Sequence, residues 1–325
     1  MKWTRVLLEE PLRVEGYGRR SLVVRAFQAQ PHYVLRIQLH FSLLGNTSTR
    51  VQDWLAQRTR QTRLRDYFIP IMEHVPVPSS SLEQLTWESH DDEREFKRWQ
   101  KQAAPVRDQM ELTVMPMTRY GTMSDVLDTK KLDMRILQRL LFHVLHAFAL
   151  LHTEFNWMRF RHNDLIVNNM GVTVGDHNQP VTYKVGTQTY RFAHDHYQPV
   201  FLDFDLATTV AQGNKRKERE THDLYYDIHT LFNSMYNRLR RRYTWNDLPA
   251  QLRALFDRIL PPAVRVTERQ KARFYVEEQR AKGNLEGVKF YQKYQTQSIA
   301  VEILGHDDVL SSWFGSFAAE DKASM

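Results

Sequence analysis

Two stretches of sequence decide the fold of this chain: residues 162–169, HNDLIVNN, and residues 202–205, LDFD. The first places a carboxylate, Asp164, five residues before an amide, Asn169, and the second places Asp203 at the end of an apolar run. Phosphoryl transfer requires one group to take a proton from the attacking hydroxyl and further oxygen donors to hold Mg²⁺ on the phosphates. Either stretch alone arises by chance in many chains, but their order predicts a phosphoryl-transfer site.

Each of the three residues also has a plainer interpretation. Asp164 could cap a turn after a helix, Asn169 could be a turn residue, and Asp203 could simply end a strand. Because Asp203 follows a strand downstream of the first motif, the catalytic interpretation is favoured. In that interpretation Asp164 accepts the proton, and Asn169 and Asp203 bind the metal.

Composition and charge bound the class of protein. The chain has 325 residues, of which 42% are hydrophobic and 12% aromatic, enough for one large domain or two ordinary ones with a real core. Its net charge of +7 favours an acidic partner, and the lack of cysteine excludes disulfides and thiolate metal sites. No apolar stretch approaches the ~18 residues that cross a bilayer, and no signal peptide is visible. We therefore expect a protein that is neither secreted nor membrane-spanning.

The first third of the chain is predicted to be strand-rich. Strands are expected at residues 21–29 and 32–41, where apolar residues are frequent and alternate with polar ones in the second segment. Helix-forming residues after a polar start predict a helix over 46–65. The acidic, polar stretch 79–102 is expected to be a surface insertion, and a further strand is predicted over 111–117.

From Asp133 onward the spacing of apolar residues becomes helical. Asp133 is the expected N-cap of a long buried helix that leads into residues 162–169. Two more helices are predicted, one through residues 224–235 and one through 248–260. Short strands are expected at 170–174, 181–185, 189–192 and 200–202.

This succession of elements resembles the protein kinase fold. The resemblance implies an α+β, two-lobed protein with a small β-rich N-lobe and a larger, mainly helical C-lobe. More narrowly, the chain resembles the serine/threonine protein kinases of nucleocytoplasmic large DNA viruses. Three segments carry that likeness: HNDL at 162–165, the hairpin at 183–192 followed by PVFLDF at 199–204, and YDIHTLFNS at 226–234.

The resemblance also assigns nucleotide-binding residues in the N-lobe. Gly16 and Gly18 match the first two glycines of the loop that covers the ATP phosphates, although Ser21 stands where the third would fall. Residues 114–118, VMPMT, match the hinge strand, so Met115, Pro116 and Thr118 are expected to contact adenine, Pro116 through its carbonyl and Thr118 through its amide. ATP is then expected to lie between the lobes.

His162 and Asp227 are assigned supporting roles by the same resemblance. Asp227 matches a buried acid that holds the backbone under the catalytic loop, and His162 belongs to the motif of that loop. Both are therefore predicted to be structural and not to touch the reacting atoms.

The chain departs from the kinase pattern at three places. Kinases place a Lys on the third strand, paired with a helix Glu; this chain has no Lys between Lys2 and Lys97, so Arg36 is predicted to contact the phosphates and Asp53 to hold it. An Arg keeps the charge but not the compact geometry of an ammonium group. Asp205 replaces the Gly of D-F-G, and the segment 203–227 contains no A-P-E.

The sequence therefore predicts an N-lobe at 1–117 with a polar insertion at 79–102, a C-lobe at 118–264, and an extension of unassigned role at 265–325. The expected activity is an ATP- and Mg²⁺-dependent serine/threonine protein kinase of a large DNA virus, with Mn²⁺ as an alternative metal. Its expected location is the host cytoplasm or the virion. The alternatives are a pseudokinase that acts as a scaffold and a kinase-fold transferase for a small molecule.

Three other patterns carry weaker predictions. His194 and His196 flank Asp195 and could bind a metal, but two His at this spacing are more often part of a polar loop. The basic clusters at 215–219 and 238–242 could contact nucleic acid or an acidic protein, although such runs are more often solvated faces. The sequence identifies no protein substrate and no membrane partner.

Overall fold

The computed structural model describes residues 2–17, 21–26, 32–39, 47–102, 109–118, 120–129, 132–153, 160–173, 180–192, 197–209, 225–265, 279–306 and 308–315. The chain forms two compact units, one of residues 1–58 and 69–117 and the other of residues 59–68 and 118–325. The first unit is built on a β-sheet and the second is mainly helical. The predicted α+β class, with a β-rich N-terminal part and a mainly helical C-terminal part, is confirmed.

The N-terminal unit contains one antiparallel sheet. Its strands are β1 (Leu12–Tyr17), β2 (Ser21–Ala26), β3 (Tyr33–Leu39), β4 (Glu73–Pro78) and β5 (Gln109–Pro116), in the spatial order β1-β2-β3-β5-β4. The helices of this unit are α1 (Lys2–Glu9), α2 (Thr47–Thr59) and α3 (His90–Gln102). The helix predicted over 46–65 is therefore shorter, and a separate 3₁₀ turn follows it at Arg63–Tyr67, capped by Thr62.

One face of this sheet is apolar and packs with α1 and α3. Alternate residues of β2, β3 and β5, among them Leu22, Leu35 and Leu112, form one buried cluster with Trp3 of α1 and Trp99 of α3. Because side chains alternate across a strand, this pattern puts the polar residues on the other face. Within the predicted surface insertion at 79–102, α3 buries one side in this cluster, where Trp99 is 0% exposed. An apolar stripe within a highly charged helix was the missed signal.

The other face of the same sheet is polar, and much of it is buried. Arg36 pairs with Thr113 across β3 and β5, and Gln38 pairs with Glu111, so these four side chains lie on one face. All four are buried. We call this set the polar sheet face. This face is therefore buried in the protein and not a solvated surface.

The C-terminal unit is arranged around a long buried helix. Its helices are α4 (Met123–Asp128), α5 (Met134–Thr153), α6 (Tyr226–Arg242), α7 (Ala250–Ile259), α8 (Leu285–Thr296), α9 (Ile299–Gly305) and α10 (Val309–Gly315). Two short ladders accompany them: β6 (Met170–Thr173) with β9 (Gln198–Phe201), and β7 (Val181–Val185) with β8 (Gln188–Phe192). Asp133 caps α5 as predicted, since its Oδ1 accepts from the amides of Arg135 and Ile136.

Residues beyond 264 belong to the same unit. The Tyr190 hydroxyl donates to the Leu304 carbonyl at 2.7 Å, and the Gln138 amide donates to the Trp313 carbonyl at 2.7 Å. Gly186 has φ +56°, and a Cβ there would approach the backbone of Gly305 at 3.3 Å. The last two described helices, α9 and α10, thus pack against the hairpin β7–β8 and against α5.

One helix of the described chain, α5, is long and apolar enough to cross a membrane by length and composition. The expectation that no stretch approaches that length is therefore wrong. However, 67% of the most apolar part of α5 is buried inside the protein, as in the core helix of a soluble domain. The remaining described helices do not meet the same criteria.

Candidate active site

The loop at residues 162–169 is anchored by one carboxylate of α6. Asp227 accepts the backbone amide of His162 on Oδ2 at 2.6 Å and that of Asn163 on Oδ1 at 2.9 Å. Asn163, which provides the second of these amides, has a left-handed backbone, with φ 64°. Asp227 is buried, and hydrogen bonds to a charged acceptor are the stronger kind. The backbone immediately before Asp164 is therefore fixed.

Asp164 and Asn169 are in direct contact. The Asn169 side-chain amide donates to the Asp164 carbonyl at 2.8 Å and lies 3.3 Å from its carboxylate Oδ2. The intervening backbone is held by α6, where the Ser234 hydroxyl accepts from the Val167 amide at 3.1 Å. Because the Asn169 nitrogen is used in this way, its Oδ1 is the atom of that side chain suited to a metal ion.

Asp203 is brought to the same place by a backbone hydrogen bond. The Leu202 amide donates to the Asn169 carbonyl at 2.9 Å, which continues the β6–β9 ladder past the pair Met170 and Phe201. Asp203 follows directly, with an exposed side chain and left-handed backbone angles of φ 57° and ψ 75°. The structure thus gathers the three predicted catalytic residues, Asp164, Asn169 and Asp203, within the C-terminal unit.

The donor set suits a hard divalent cation. The oxygens of Asn169 and Asp203 are ligands of the kind that Mg²⁺ prefers, and Mg²⁺ usually takes one or two carboxylates and completes its shell with substrate phosphates and water. Within the described ranges, no three His, Asp or Glu side chains converge into a metal site. A metal here would therefore depend on phosphate oxygens as well as on the protein.

His162 supports Asp203 from the side of the loop. Its Nε2 lies 2.6 Å from the Leu202 carbonyl, and because a carbonyl only accepts, Nε2 must carry the proton. The ring also packs against Phe204 with a centroid distance of 5.3 Å. Phe204 belongs to an aromatic cluster with Phe68 and Phe201. His162 is thus a buried contact between the loop and the segment that carries Asp203.

Asn163 is a residue whose role the sequence did not suggest. Its side-chain nitrogen donates to the Leu206 carbonyl at 2.9 Å and to the Thr208 hydroxyl at 3.2 Å. Arg161 and Thr208 form a backbone bridge beside it, with N–O distances of 2.9 and 2.8 Å. The available signal was only that Asn is among the few residues that adopt left-handed backbone angles readily.

Arg161 is a second residue that sequence reasoning missed. It is 3% exposed, and its guanidinium lies over the ring of Tyr226 at 4.0 Å from the ring centroid. A cation over an aromatic face in a desolvated setting is stabilising. Arg161 therefore attaches the start of the loop to the first residue of α6, next to Asp227.

Gly171 is a third residue that the sequence did not single out. A Cβ at this position would lie 2.5 Å from the Thr118 side chain and 3.0 Å from that of Val200. A larger residue would displace Thr118, for which a nucleotide contact is predicted. The glycine thus allows close packing beside β6.

The predicted nucleotide-binding residues of the N-terminal unit lie on its sheet. Gly16 is on β1 opposite Val23, and a Cβ there would meet nothing within 4 Å, so its surroundings in the protein do not require a glycine. Met115 and Pro116 are at the end of β5, as predicted for a hinge strand. Gly18 lies outside the described residues. The nucleotide contacts of all these residues stay predictions.

Arg36 and Asp53 also lie in the N-terminal unit. Arg36 is 6% exposed and is therefore not a solvated strand arginine, while its contact with phosphate stays a prediction. Asp53 is half-buried on α2. Its neighbours Val51, Gln52 and Leu55 on the same helix are buried. The pairing of Arg36 with Asp53 also stays a prediction.

The remaining weaker predictions divide between described and undescribed residues. The group His194, Asp195 and His196 lies outside the described residues, as does the basic cluster 215–219. In the cluster 238–242, Arg238 and Arg242 both form ion pairs with Asp128, and the Arg242–Asp128 distance is 3.0 Å. These two arginines therefore fasten α6 to α4 and are not simply a solvated face.

Comparisons with known proteins add little to this geometry. No model of a known protein family matches the chain, and no curated protein matches it. The crystal structure of the kinase domain of PF14_0431 is similar over 96% of this chain and 91% of the PF14_0431 chain, with 11% sequence identity and a TM-score of 0.43. A likeness at that score is too weak to support a conclusion. The five-stranded sheet of the N-terminal unit and the mainly helical C-terminal unit make this an α+β protein.

Proposed function

We propose that this chain is an ATP- and Mg²⁺-dependent protein kinase that acts on serine and threonine hydroxyls, of the type that large DNA viruses encode. The observation that carries the proposal is the bonding of Asn169, whose amide contacts Asp164 and whose carbonyl accepts from Leu202, next to Asp203. A proton acceptor and two oxygen donors for a metal are thereby held on one rigid backbone frame.

In this proposal each residue has one task. The Asp164 carboxylate accepts the proton as the acceptor oxygen bonds to the γ-phosphorus and the bond from that phosphorus to the leaving oxygen of ADP breaks. Asn169 and Asp203 hold Mg²⁺, which when bound neutralises charge on the phosphates. His162 and Asp227 keep the loop in place. The protein supplies position and charge and forms no covalent bond to the substrate.

A second candidate is a pseudokinase that binds partners without turnover. It is favoured by Arg36, which stands where a compact ammonium is usual and is buried on the polar sheet face. Asp205, half-buried beside the proposed metal ligand, also favours it. The anchored loop favours the enzyme, because a scaffold has no need for Asp164, Asn169 and Asp203 together.

Thermal melting with nucleotide tests binding, and a transfer assay then separates the two candidates. A ligand of the folded state raises the melting temperature by mass action, so Mg²⁺-ATP at millimolar concentration should raise it, and ATP with EDTA should raise it less. If the chain is a kinase, it should also transfer labelled γ-phosphate from ATP to casein or to itself. A shift without transfer would support the pseudokinase. No shift with Mg²⁺ or Mn²⁺ would exclude nucleotide binding altogether.

A further inference from the structure

We infer that Asn163 is a positioning residue that sets the place of both catalytic carboxylates, an inference that rests on the proposed function. Asn163 directly precedes Asp164, and its side chain bonds to residues just after Asp203. One side chain therefore connects the proposed proton acceptor with the proposed metal ligand. We call Asn163 with the Leu206 carbonyl and the Thr208 hydroxyl the amide brace.

The amide brace uses the two N–H groups of Asn163. One is directed to the Leu206 carbonyl at 2.9 Å and one to the Thr208 hydroxyl at 3.2 Å. The Asn163 Oδ1 is buried and has no hydrogen-bond partner in the structure. A buried acceptor without a partner is unfavourable, so the side chain is there for its donors.

The backbone of Asn163 limits which residues could replace it. Its φ of 64° is the left-handed conformation, which Asn, Asp and Gly adopt more readily than other residues. Only Asn among these three has a side chain that can donate to a carbonyl at neutral pH. Backbone and side chain therefore both favour asparagine at this position.

Asp203 also has a left-handed backbone, and it is held from both sides. It is a non-glycine residue at φ 57°, a conformation that persists only when the surrounding structure enforces it. On its N-terminal side, Leu202 is fixed by Asn169 and His162. On its C-terminal side, the 3₁₀ turn Phe204–Leu206 ends at the carbonyl that Asn163 holds. The amide brace thus supports Asp203 through a side chain on that second side.

A change in the amide brace should therefore move the metal ligand relative to the proton acceptor. The expected signature is a higher Mg²⁺ requirement and a lower kcat, with the KM for the acceptor protein little changed. A purely structural residue would instead lower the melting temperature and the amount of folded enzyme and leave the Mg²⁺ requirement as it was.

The test is Asn163→Asp, which keeps the shape and tolerates the left-handed backbone but cannot donate when ionised. Asn168→Asp is the matched control, since it adds the same charge to the same loop at an exposed position. In Asn163→Asp we expect amide hydrogen exchange over residues 203–209 to accelerate about tenfold or more, and the Mg²⁺ concentration for half-maximal activity to rise about fivefold. Neither quantity should change in Asn168→Asp. Thr208→Val, which removes one acceptor of the brace, should show the same changes to a lesser degree.

Unchanged exchange in Asn163→Asp would overturn the inference, and so would faster exchange with an unchanged metal requirement. If Asn163→Asp does not fold, the same two measurements on Thr208→Val decide. If the parent chain transfers no phosphate, the proposed function fails. In that case exchange and the Mn²⁺-ATP dependence of the melting temperature still decide whether Asn163 positions Asp203.

Discussion

The loop at 162–169 and the polar sheet face both bury polar groups, but they hold them by different means. In the loop, carboxylate, imidazole and amide side chains bond to backbone N–H and C=O groups of the same unit, as Asp227 does to His162 and Asn163. On the polar sheet face, the register of β3 and β5 places Arg36 opposite Thr113 and Gln38 opposite Glu111. Here polar side chains lie beside one another, instead of bonding to the backbone of a loop.

This difference teaches where the chain can vary. A side chain that satisfies backbone groups at fixed distances has few substitutes, whereas a side chain on a sheet face is less tightly constrained by its partners. The predicted catalytic acids, Asp164 and Asp203, match the kinase pattern. Arg36, the predicted phosphate-binding cation, departs from it, and this agrees with the difference between the two regions. Variants in the loop should therefore have larger effects than variants on the polar sheet face.

The largest effect is expected from Asp164→Asn. Removing a general base typically lowers the rate by about 10²–10⁴-fold, roughly 3–5 kcal/mol of barrier, while nucleotide binding should remain because this carboxylate acts on the acceptor. Phosphate transfer and the Mg²⁺-ATP melting shift are measured on the same preparation, with Asn168→Asp as control. A rate within about threefold of the parent, only ~0.65 kcal/mol, would show that the base is misassigned.

Asp227→Ala should cost the most stability in this comparison. It leaves the buried amides of His162 and Asn163 without their acceptor, and each such loss costs about 1–3 kcal/mol, so we expect roughly 3 kcal/mol in total. Urea unfolding measures the change, and Asp247→Ala, at an exposed position of the same unit, is the control. A loss below about 1 kcal/mol would contradict the view that backbone anchoring defines the loop.

His229, two residues after Asp227 on α6, provides a pH test of the same helix. Burial lowers the pKa of His229 from 6.5 to about 4, while its Nε2 donates to the Val264 carbonyl at 3.0 Å. Because the folded pKa is depressed, the unfolded chain binds more protons between pH 6.5 and 4, and stability falls as the pH falls through this window. The loss due to this residue is about 2 kcal/mol at pH 5.

His229→Gln keeps a donor for that carbonyl and does not titrate. Unfolding free energies of the parent and of His229→Gln, measured by urea from pH 8 to pH 5, should converge by about 2 kcal/mol as the pH falls. Parallel curves for the two proteins would mean that His229 is not held neutral, and that this part of α6 is more open to water than its burial indicates.

Arg36→Ala is expected to have the smallest of these effects. If Arg36 contacts the phosphates, its removal should weaken Mg²⁺-ATP binding about tenfold, or ~1.4 kcal/mol, and Arg36→Lys should retain binding and raise the rate. Isothermal calorimetry measures binding, and melting without nucleotide checks that the sheet is intact. Unchanged affinity in Arg36→Ala would remove the phosphate role of the polar sheet face.

Much of the fold could be predicted from local sequence. The helical spacing after Asp133 identified α5 and its cap, and the alternation of residues along β3 identified that strand. The prediction failed where local signals disagree with tertiary contacts. β4 was missed because it contains Pro76 and Pro78, which an edge strand tolerates and a central strand does not. In α3 the high charge obscured the buried aromatic residues.

What the sequence supplied by itself was the predicted set of reacting groups. Asp164, Asn169 and Asp203 were identified from their chemistry and spacing, because those are properties of neighbouring residues in a chain. The amide brace, the burial of Arg36 and the packing of residues 279–315 were decided only by the tertiary structure. Each of these features depends on residues that are distant in the sequence or lie on neighbouring strands. Asn163 and Leu206 are 43 residues apart, and Gln138 and Trp313 are 175 residues apart. Periodicity and propensity describe a residue's neighbours along the chain, while burial and hydrogen bonding depend on what folding places against it.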